Sequence, residues 1–189
     1  MGFMFSYCSS LKELNLNNFN TNNVTHMNSM FSFCSSLKEL NFDYFNTTNV
    51  TKMNHMFYGC HRLEKLNLNN FNTINVTDMS YMFNYCSSLF ILNLNNFNNT
   101  INITNMVGMF NGCSYLKELN LNNFNTNNVT NMSWMFNGCS SLTELYLNNL
   151  NTNSVTEMNG MFDGCSNELK MKIKTQYKNI KKEAFKENI

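Results

Sequence analysis

The strongest constraint on this chain is a phrase that it writes six times almost unchanged. The clearest copy is CSYLKELNLNNFNTNNVTNMSWMF, from Cys113 to Phe136. Cys8, Cys34, Cys60, Cys86, Cys113, Cys139 and Cys165 mark its register, at separations of 26, 26, 26, 27, 26 and 26 residues. A fixed period of this length is the mark of a solenoid, in which each unit buries its apolar face only against its neighbours. Length then sets the number of layers and not the size of a central core.

Within each unit two periodicities alternate. Leu-x-x-Leu-x-Leu-x-x-Phe, as in Leu63, Leu66, Leu68 and Phe71, contains a Leu-x-Leu pair with the period of a half-buried strand. Equivalent strands would form a parallel sheet with neighbours about 4.8 Å apart. A polar Asn-Thr-x-Asn bend follows, rich in residues that hydrogen-bond their own backbone. Then Val24, Met27, Met30, Phe31 and Cys34 fall at i, i+3, i+6, i+7 and i+10, a spacing that predicts a helix or linked short helical turns. Thr25 and its counterparts stand where an N-cap belongs. Cys-Ser-Ser makes the return.

The joins and ends depart from the consensus. The fourth unit carries one extra residue within the polar bend Asn98–Ile103, where a solenoid tolerates insertion, and Leu150 replaces the usual Phe in the sixth. Met1-x-x-Met4-Phe5-x-x-Cys8 fits the repeat itself, so Met1 reads either as an internal methionine of a longer array or as the start of a truncated one. After Cys165 the register is lost. Leu169 to Ile173 alternate apolar residues with Lys, which predicts a short strand, and Tyr177, Ile180, Lys181, Ala184 and Phe185 have helical spacing. Residues 1–167 are therefore expected to form an array of about six to seven 26-residue units, and residues 168–189 a basic capping strand and helix. The tail has a second reading as a contact for an anionic surface. It carries seven Lys/Arg against three Asp/Glu, whereas residues 1–167 carry six against nine.

Leu-x-x-Leu-x-Leu is the signature of leucine-rich repeats. The longer unit Phe-Asn-Thr-x-Asn-Val-Thr-x-Met-x-x-Met-Phe-x-x-Cys-Ser-Ser-Leu resembles the BspA-like family, the bacterial surface protein repeat of 26 residues, over roughly residues 1–167. The resemblance implies an α/β leucine-rich-repeat solenoid with a parallel sheet on the concave face, short helices on the convex face and a C-terminal helical cap. It also implies display at the cell surface or secretion, with adhesion to host or neighbouring-cell protein or glycan and no enzymatic activity. Asn often stands where the family has Asp or Ser, and no export signal or wall anchor is visible. An intracellular scaffold is the alternative location and role.

Composition excludes several other functions. No run of about eighteen apolar residues is present, and Met1 to Cys8 has neither the basic nor the long apolar region of a signal peptide, so no membrane insertion is expected. Nucleic-acid binding needs a basic stripe that residues 1–167 lack. No nucleophile, base and orienting group recur together and no phosphate loop is present, so no catalytic residue and no cofactor is assigned. The cysteine column admits a buried reduced ladder, a disulfide or a metal site. The odd count and the absence of Cys-x-x-Cys favour the first. The repeated Met-x-x-Met pairs, such as Met27/Met30, could bind Cu(I) but share an apolar face with Val and Phe. No metal site is assigned. The Asn-x-Thr triplets, such as Asn23-Val24-Thr25, follow from composition.

If the leucines point inward, the open sheet face carries Asn columns that either form amide ladders and solvate the sheet or bind a ligand. On the binding reading the candidates are Asn15, Asp43, Tyr44, Asn67, Ile91, Asn93, Asn120 and Tyr146, with Phe90 at the rim. Departures from the consensus mark where a ligand is read. The expected partner is a protein or a glycan. A structural spacer is the alternative, self-associating through an uncovered N-terminal layer around Met4, Phe5, Leu14 and Leu16.

Overall fold

The computed structural model describes residues 1–98 and 100–186. Asn99, inside the stretch with the extra residue, lies outside them. Among the described residues five strands are formed: β1 (Glu39–Leu40), β2 (Lys65–Asn67), β3 (Ile91–Asn93), β4 (Glu118–Asn120) and β5 (Glu144–Tyr146). Neighbouring strands of one sheet pair in parallel through equivalent residues one unit apart, Leu40 with Leu66, Leu66 with Leu92, and Leu119 with Leu145. Lys65 and Asn67 are exposed and Leu66 is buried, the alternation that a sheet with one covered face requires. Two sheets result, β1-β2-β3 and β4-β5. The gap between them coincides with the unit that holds the extra residue.

The second half of the unit corrects the helix expectation. Residues 27–34 form no helix; they make linked turns. Met27, Ser29, Phe31 and Phe33 donate their amides to Lys52, Asn54, Met56 and Tyr58 of the next unit at 2.6–3.0 Å, while Met30, Ser32 and Cys34 donate to the residue three back. Two residues per unit turn left-handed to allow this, Ser29 at φ 55° and Phe33 at φ 58° in the first unit. An isolated helix this short pays the full nucleation penalty for few bonds. Pairing every second amide with the adjacent layer satisfies the backbone along the whole stack, and the i, i+3, i+7 spacing serves these turns equally well. Thr25 is accordingly no N-cap. It belongs to a second parallel ladder, His26–Lys52–Asp78–Asn105–Asn131–Glu157, in which Thr51 donates both its amide (2.8 Å) and its hydroxyl (3.1 Å) to Thr25 O.

The core is a set of one-residue columns. Phe5, Phe31, Phe57, Phe83, Phe110, Phe136 and Phe162 stack with centroids 5.4–5.7 Å apart. The six Met-x-x-Met pairs from Met27/Met30 to Met158/Met161 are fully buried beside them, where Met fills irregular gaps. Buried Thr47 acts as a rung, its hydroxyl donating to Asn72 O (2.9 Å) and accepting from Asn72 N–H (2.7 Å). Thr73, the rung next to the extra residue, has a buried hydroxyl with no partner among the described residues.

Beyond Cys165 the structure differs from the predicted strand and helix. The Lys-alternating stretch is a helix, α1 (Asn167–Gln176), started by Ser166, whose side chain accepts from Leu169 N–H. Leu169 and Ile173 are buried, and so is Lys170, so the alternation is read on a helical surface. The expected helix over 177–185 is instead a turn at 178–180 followed by a 3-10 turn, Lys182–Phe185. That turn stands where the next unit would. Phe162 N–H donates to Ala184 O at 2.9 Å and Phe185 continues the ring stack at 5.2 Å.

Candidate functional site

On the sheet face the outward columns run Glu39, Lys65, Ile91 and then Asn67, Asn93. Asn41 makes the turn that follows β1. The amides do not hydrogen-bond along the sheet as a ladder. Each closes its own turn: the Oδ1 atoms of Asn15, Asn41, Asn67, Asn93 and Asn120 accept from the amide two residues on, at 2.7–3.1 Å. This local geometry is what makes Asn a turn residue, and it leaves the side-chain N–H donors at the surface. Tyr146 cannot make the same turn, and Asn148 N–H turns to Asn122 Oδ1 of the preceding unit at 2.9 Å.

Cross-layer amide ladders do exist, one column on. Asn70 Nδ2 donates to Asp43 O at 3.1 Å and Asn123 Nδ2 to Asn95 O at 3.0 Å. Tyr44 holds this column in its unit and leaves the ring 67% exposed. A third ladder uses the triplet asparagines, with Asn49 Nδ2 on Asn22 O and Asn75 Nδ2 on Thr48 O, both at 2.8 Å.

Five of the eight candidates meet in one place. Asn15, Asp43, Asn67, Ile91 and Asn93 line a trough of about 910 Å³ at the N-terminal half of the sheet, together with Lys12, Glu13, Glu39 and Lys65. Its rim carries both signs of charge; Ile91 is its exposed apolar side chain, whereas Leu40 and Leu66 behind it are buried in the core. Ile91 is 49% exposed, and Lys65 Nζ lies 5.8 Å from the ring centroid of Phe90. Asn120 sits on the other sheet, on β4. Tyr146 lines a separate recess of about 410 Å³ with Lys172, Gln176 and Tyr177 of the C-terminal segment, where Lys172 pairs with Glu144 at 2.7 Å.

The cysteines supply no chemistry to this face. All seven are free, and all but Cys8 are buried. Each buried thiol donates to a carbonyl of the previous unit, Cys34 to Phe5 and Cys60 to Phe31 at 3.1 Å. Among the described residues no cluster of three His, Cys, Asp or Glu could hold a metal ion. Among the described residues no helix is long and apolar enough to cross a membrane.

The sequence reading missed one group of residues. The left-handed turn positions hold Gly108, Gly112, Gly138, Gly160 and Gly164 in some units, and Tyr7, Phe33, His55, Tyr81, Tyr85 and Trp134 in others. The signal was present as an alternation of glycine and aromatic residues just before each cysteine.

A family described as "Mycoplasma protein of unknown function, DUF285" matches residues 1–100 and again 90–187. The chain belongs to the DUF285 family. The BspA-like leucine-rich-repeat assignment made from the repeat stands with it. No curated protein matches in sequence. Among solved structures, a leucine-rich repeat protein from Bacteroides ovatus is similar at 18% identity and a TM-score of 0.51, over 89% of this chain and 40% of that one. A leucine-rich cell surface protein from Faecalibacterium prausnitzii aligns at 22% identity and a TM-score of 0.43, over 68% and 35%. The T. pallidum leucine-rich repeat protein aligns at 21% and 0.42, over 82% and 77%. The Bacteroides likeness is one of fold. This DUF285 chain spans well under half the length of the first two.

Proposed function

We propose that this DUF285 chain is a non-enzymatic recognition module whose sheet-face trough takes a protein or glycan partner at a bacterial surface. The observation that carries this is the convergence of Asn15, Asp43, Asn67, Ile91 and Asn93 on one trough. Opposite charges at its rim beside the exposed Ile91 suit an extended peptide-like segment better than a compact small molecule. Surface display is drawn from the BspA-like resemblance. On this reading residues 1–167 are the recognition array and the C-terminal segment from 168 is its cap.

The test is solid-phase binding of the intact chain to a panel of purified extracellular-matrix proteins and a glycan array. It is run beside a Asp43→Asn/Ile91→Glu variant, which restores the residues that other units hold at those columns. Binding lost with the thermal midpoint unchanged supports the trough; binding retained by the variant places contact elsewhere. A second reading, end-to-end association, is favoured by the exposure of Phe3, Met4 and Tyr7 on the first layer. Light scattering that gives a monomer at all concentrations would remove it.

A further inference from the structure

The linked turns make one long side of the stack, and its chemistry differs from that of the sheet. Residues 1–8, 27–34, 53–60, 79–86, 106–113 and 132–139 contain no Asp, Glu, Lys or Arg, although Lys and Glu are frequent on the sheet face. His55 is the imidazole on this side. Burial holds its pKa below the ordinary value, against an opposing pull from Asp78.

What the turn side carries is aromatic rings set among amides and hydroxyls. Tyr7 stacks on Phe33 at 4.8 Å, His55 lies 5.0 Å from Tyr81, and Tyr58 lies 6.1 Å from Tyr85. The series stops at the fourth unit. There the space where a side chain would stand is filled by the preceding rings, a Cβ on Gly108 falling 2.6 Å from Tyr81 and one on Gly112 falling 2.7 Å from Tyr85. The ring of Tyr81 and the amide of Asn84 together flank Gly108, and Asn84 Oδ1 has no hydrogen-bond partner among the described residues. Trp134, the single tryptophan of the chain, follows in the fifth unit and is exposed.

These rings are not required by the fold. Tyr81, Tyr85 and Trp134 sit at φ 56°, 57° and 56°, where a large side chain is strained and glycine is not. Their equivalents Gly108, Gly112 and Gly160 make the same turns without strain. Strain kept at a surface position points to a use beyond packing. The shelf from Tyr81 to Trp134 spans two layers, about 10 Å at strand spacing, the reach of a short sugar chain. Ring faces accept the C–H faces of pyranose rings, whose carbon-bound hydrogens are weakly positive against the negative π-face, and asparagine and serine groups match hydroxyls. Phosphate, nucleic acid and acidic polymers would find no cation here.

We propose that the turn side of the stack is a second binding surface, for a neutral oligosaccharide laid across Tyr81, Tyr85 and Trp134. This site is independent of the sheet-face trough. It is tested on the intact chain by electrophoresis through gels containing neutral polysaccharides (mannan, a β-glucan, a galactan), with heparin as the anionic control, and by titrating Trp134 fluorescence with the matching oligosaccharides. The variants are Tyr81→Gly/Tyr85→Gly and Trp134→Gly, which install the residue other units already use.

The expected result is retardation by at least one neutral polysaccharide and none by heparin. Affinity should fall at least about tenfold in the double variant, with the thermal midpoint unchanged or raised. The proposal is overturned if no neutral polysaccharide retards the wild type, if heparin alone does, or if both variants bind as before. Loss in the Asp43→Asn/Ile91→Glu variant instead of these would assign the sugar to the trough and equally overturn it.

Discussion

Cys60 Sγ lies 3.1 Å from the carbonyl oxygen of Phe31 in the preceding unit and donates its proton to it. The same bond recurs at Cys86, Cys113, Cys139 and Cys165. A thiol fills this apolar corner as a small hydrophobe and still donates weakly to the carbonyl, a combination that suits every unit of the column.

Burial, more than any neighbour, pushes these thiols up, Cys34 to about 11 and Cys113 to about 12. Ellman's reagent should therefore titrate one thiol in the native protein, Cys8, with the other six appearing only on unfolding. Two or more fast thiols would contradict the ladder. The sign of the pH effect follows from the same shift. Folded pKa values lie above the unfolded value of 9.0, so the unfolded chain loses protons first as pH rises. The contribution is fully present below pH 9 and is lost towards 11 and 12. Thermal midpoints should fall steeply over that window, and a Cys86→Ala/Cys139→Ala variant, though less stable, should show a shallower fall.

Phe83 is sealed between Phe57 at 5.7 Å and Phe110 at 5.5 Å. Phe83→Ala should cost about 3–5 kcal/mol. Because layers contact only their neighbours, the loss falls on two interfaces at the middle of the stack. Urea unfolding should become biphasic, with the two halves separating. A single transition merely shifted to lower urea would mean that the stack behaves as one cooperative unit.

Most of the architecture was legible in the sequence because a solenoid repeats its own evidence. Leu66 buried between exposed Lys65 and Asn67 is what the Leu-x-Leu period predicts. The turns were misread because Met27, Met30, Phe31 and Cys34 satisfy a helical spacing, while the property that decides, where alternate amides go, resides in the adjacent unit. For the same reason α1 was misread as a strand: Leu169, Met171 and Ile173 alternate with Lys, yet Met171 points to solvent and Lys170 is buried. At the trough, departures from the consensus found Asp43 and Ile91. They did not separate Tyr146 from them, since the division of the sheet between β3 and β4 leaves no trace in any single strand.

Gly112 cannot take a side chain while Tyr85 is present. Its φ is 74° and an added Cβ would meet the Tyr85 ring at 2.7 Å. Gly112→Ala should destabilise by about 1–2 kcal/mol from backbone strain alone, with a further penalty from the ring. In a Tyr85→Gly background the ring penalty disappears and the strain remains. A double-mutant cycle by urea denaturation should give a coupling of about 0.5 kcal/mol or more; additive values would mean that the ring moves aside freely.

His55 offers an acid-side counterpart to the thiols. Its folded pKa is lowered, mainly by burial, so below about 6.5 the unfolded chain binds the proton more readily. Stability from this group is present above that pH and is lost as pH falls through the folded value. His55→Gly, which supplies the residue found at Gly108, should flatten the thermal midpoint between pH 7 and 5. An unchanged slope would assign the acid sensitivity to the carboxylates.

Tyr177 does for β5 what a sixth strand would have done. In the array Leu121 N–H donates to Tyr146 O of the next unit at 3.0 Å, but Leu147 has no further strand to meet. Its amide donates to the phenol oxygen of Tyr177 at 3.1 Å, and the phenol in turn donates to Asn148 Oδ1 at 3.2 Å. Tyr177→Phe removes the acceptor and keeps the ring, leaving a partly buried amide unpaired at a cost of about 1–3 kcal/mol. The effect should be local. Hydrogen exchange at Leu147 should speed up by an order of magnitude or more, while Leu66 in the first sheet keeps its protection. Equal acceleration at both positions would show that the C-terminal segment supports the whole stack and not only its last layer.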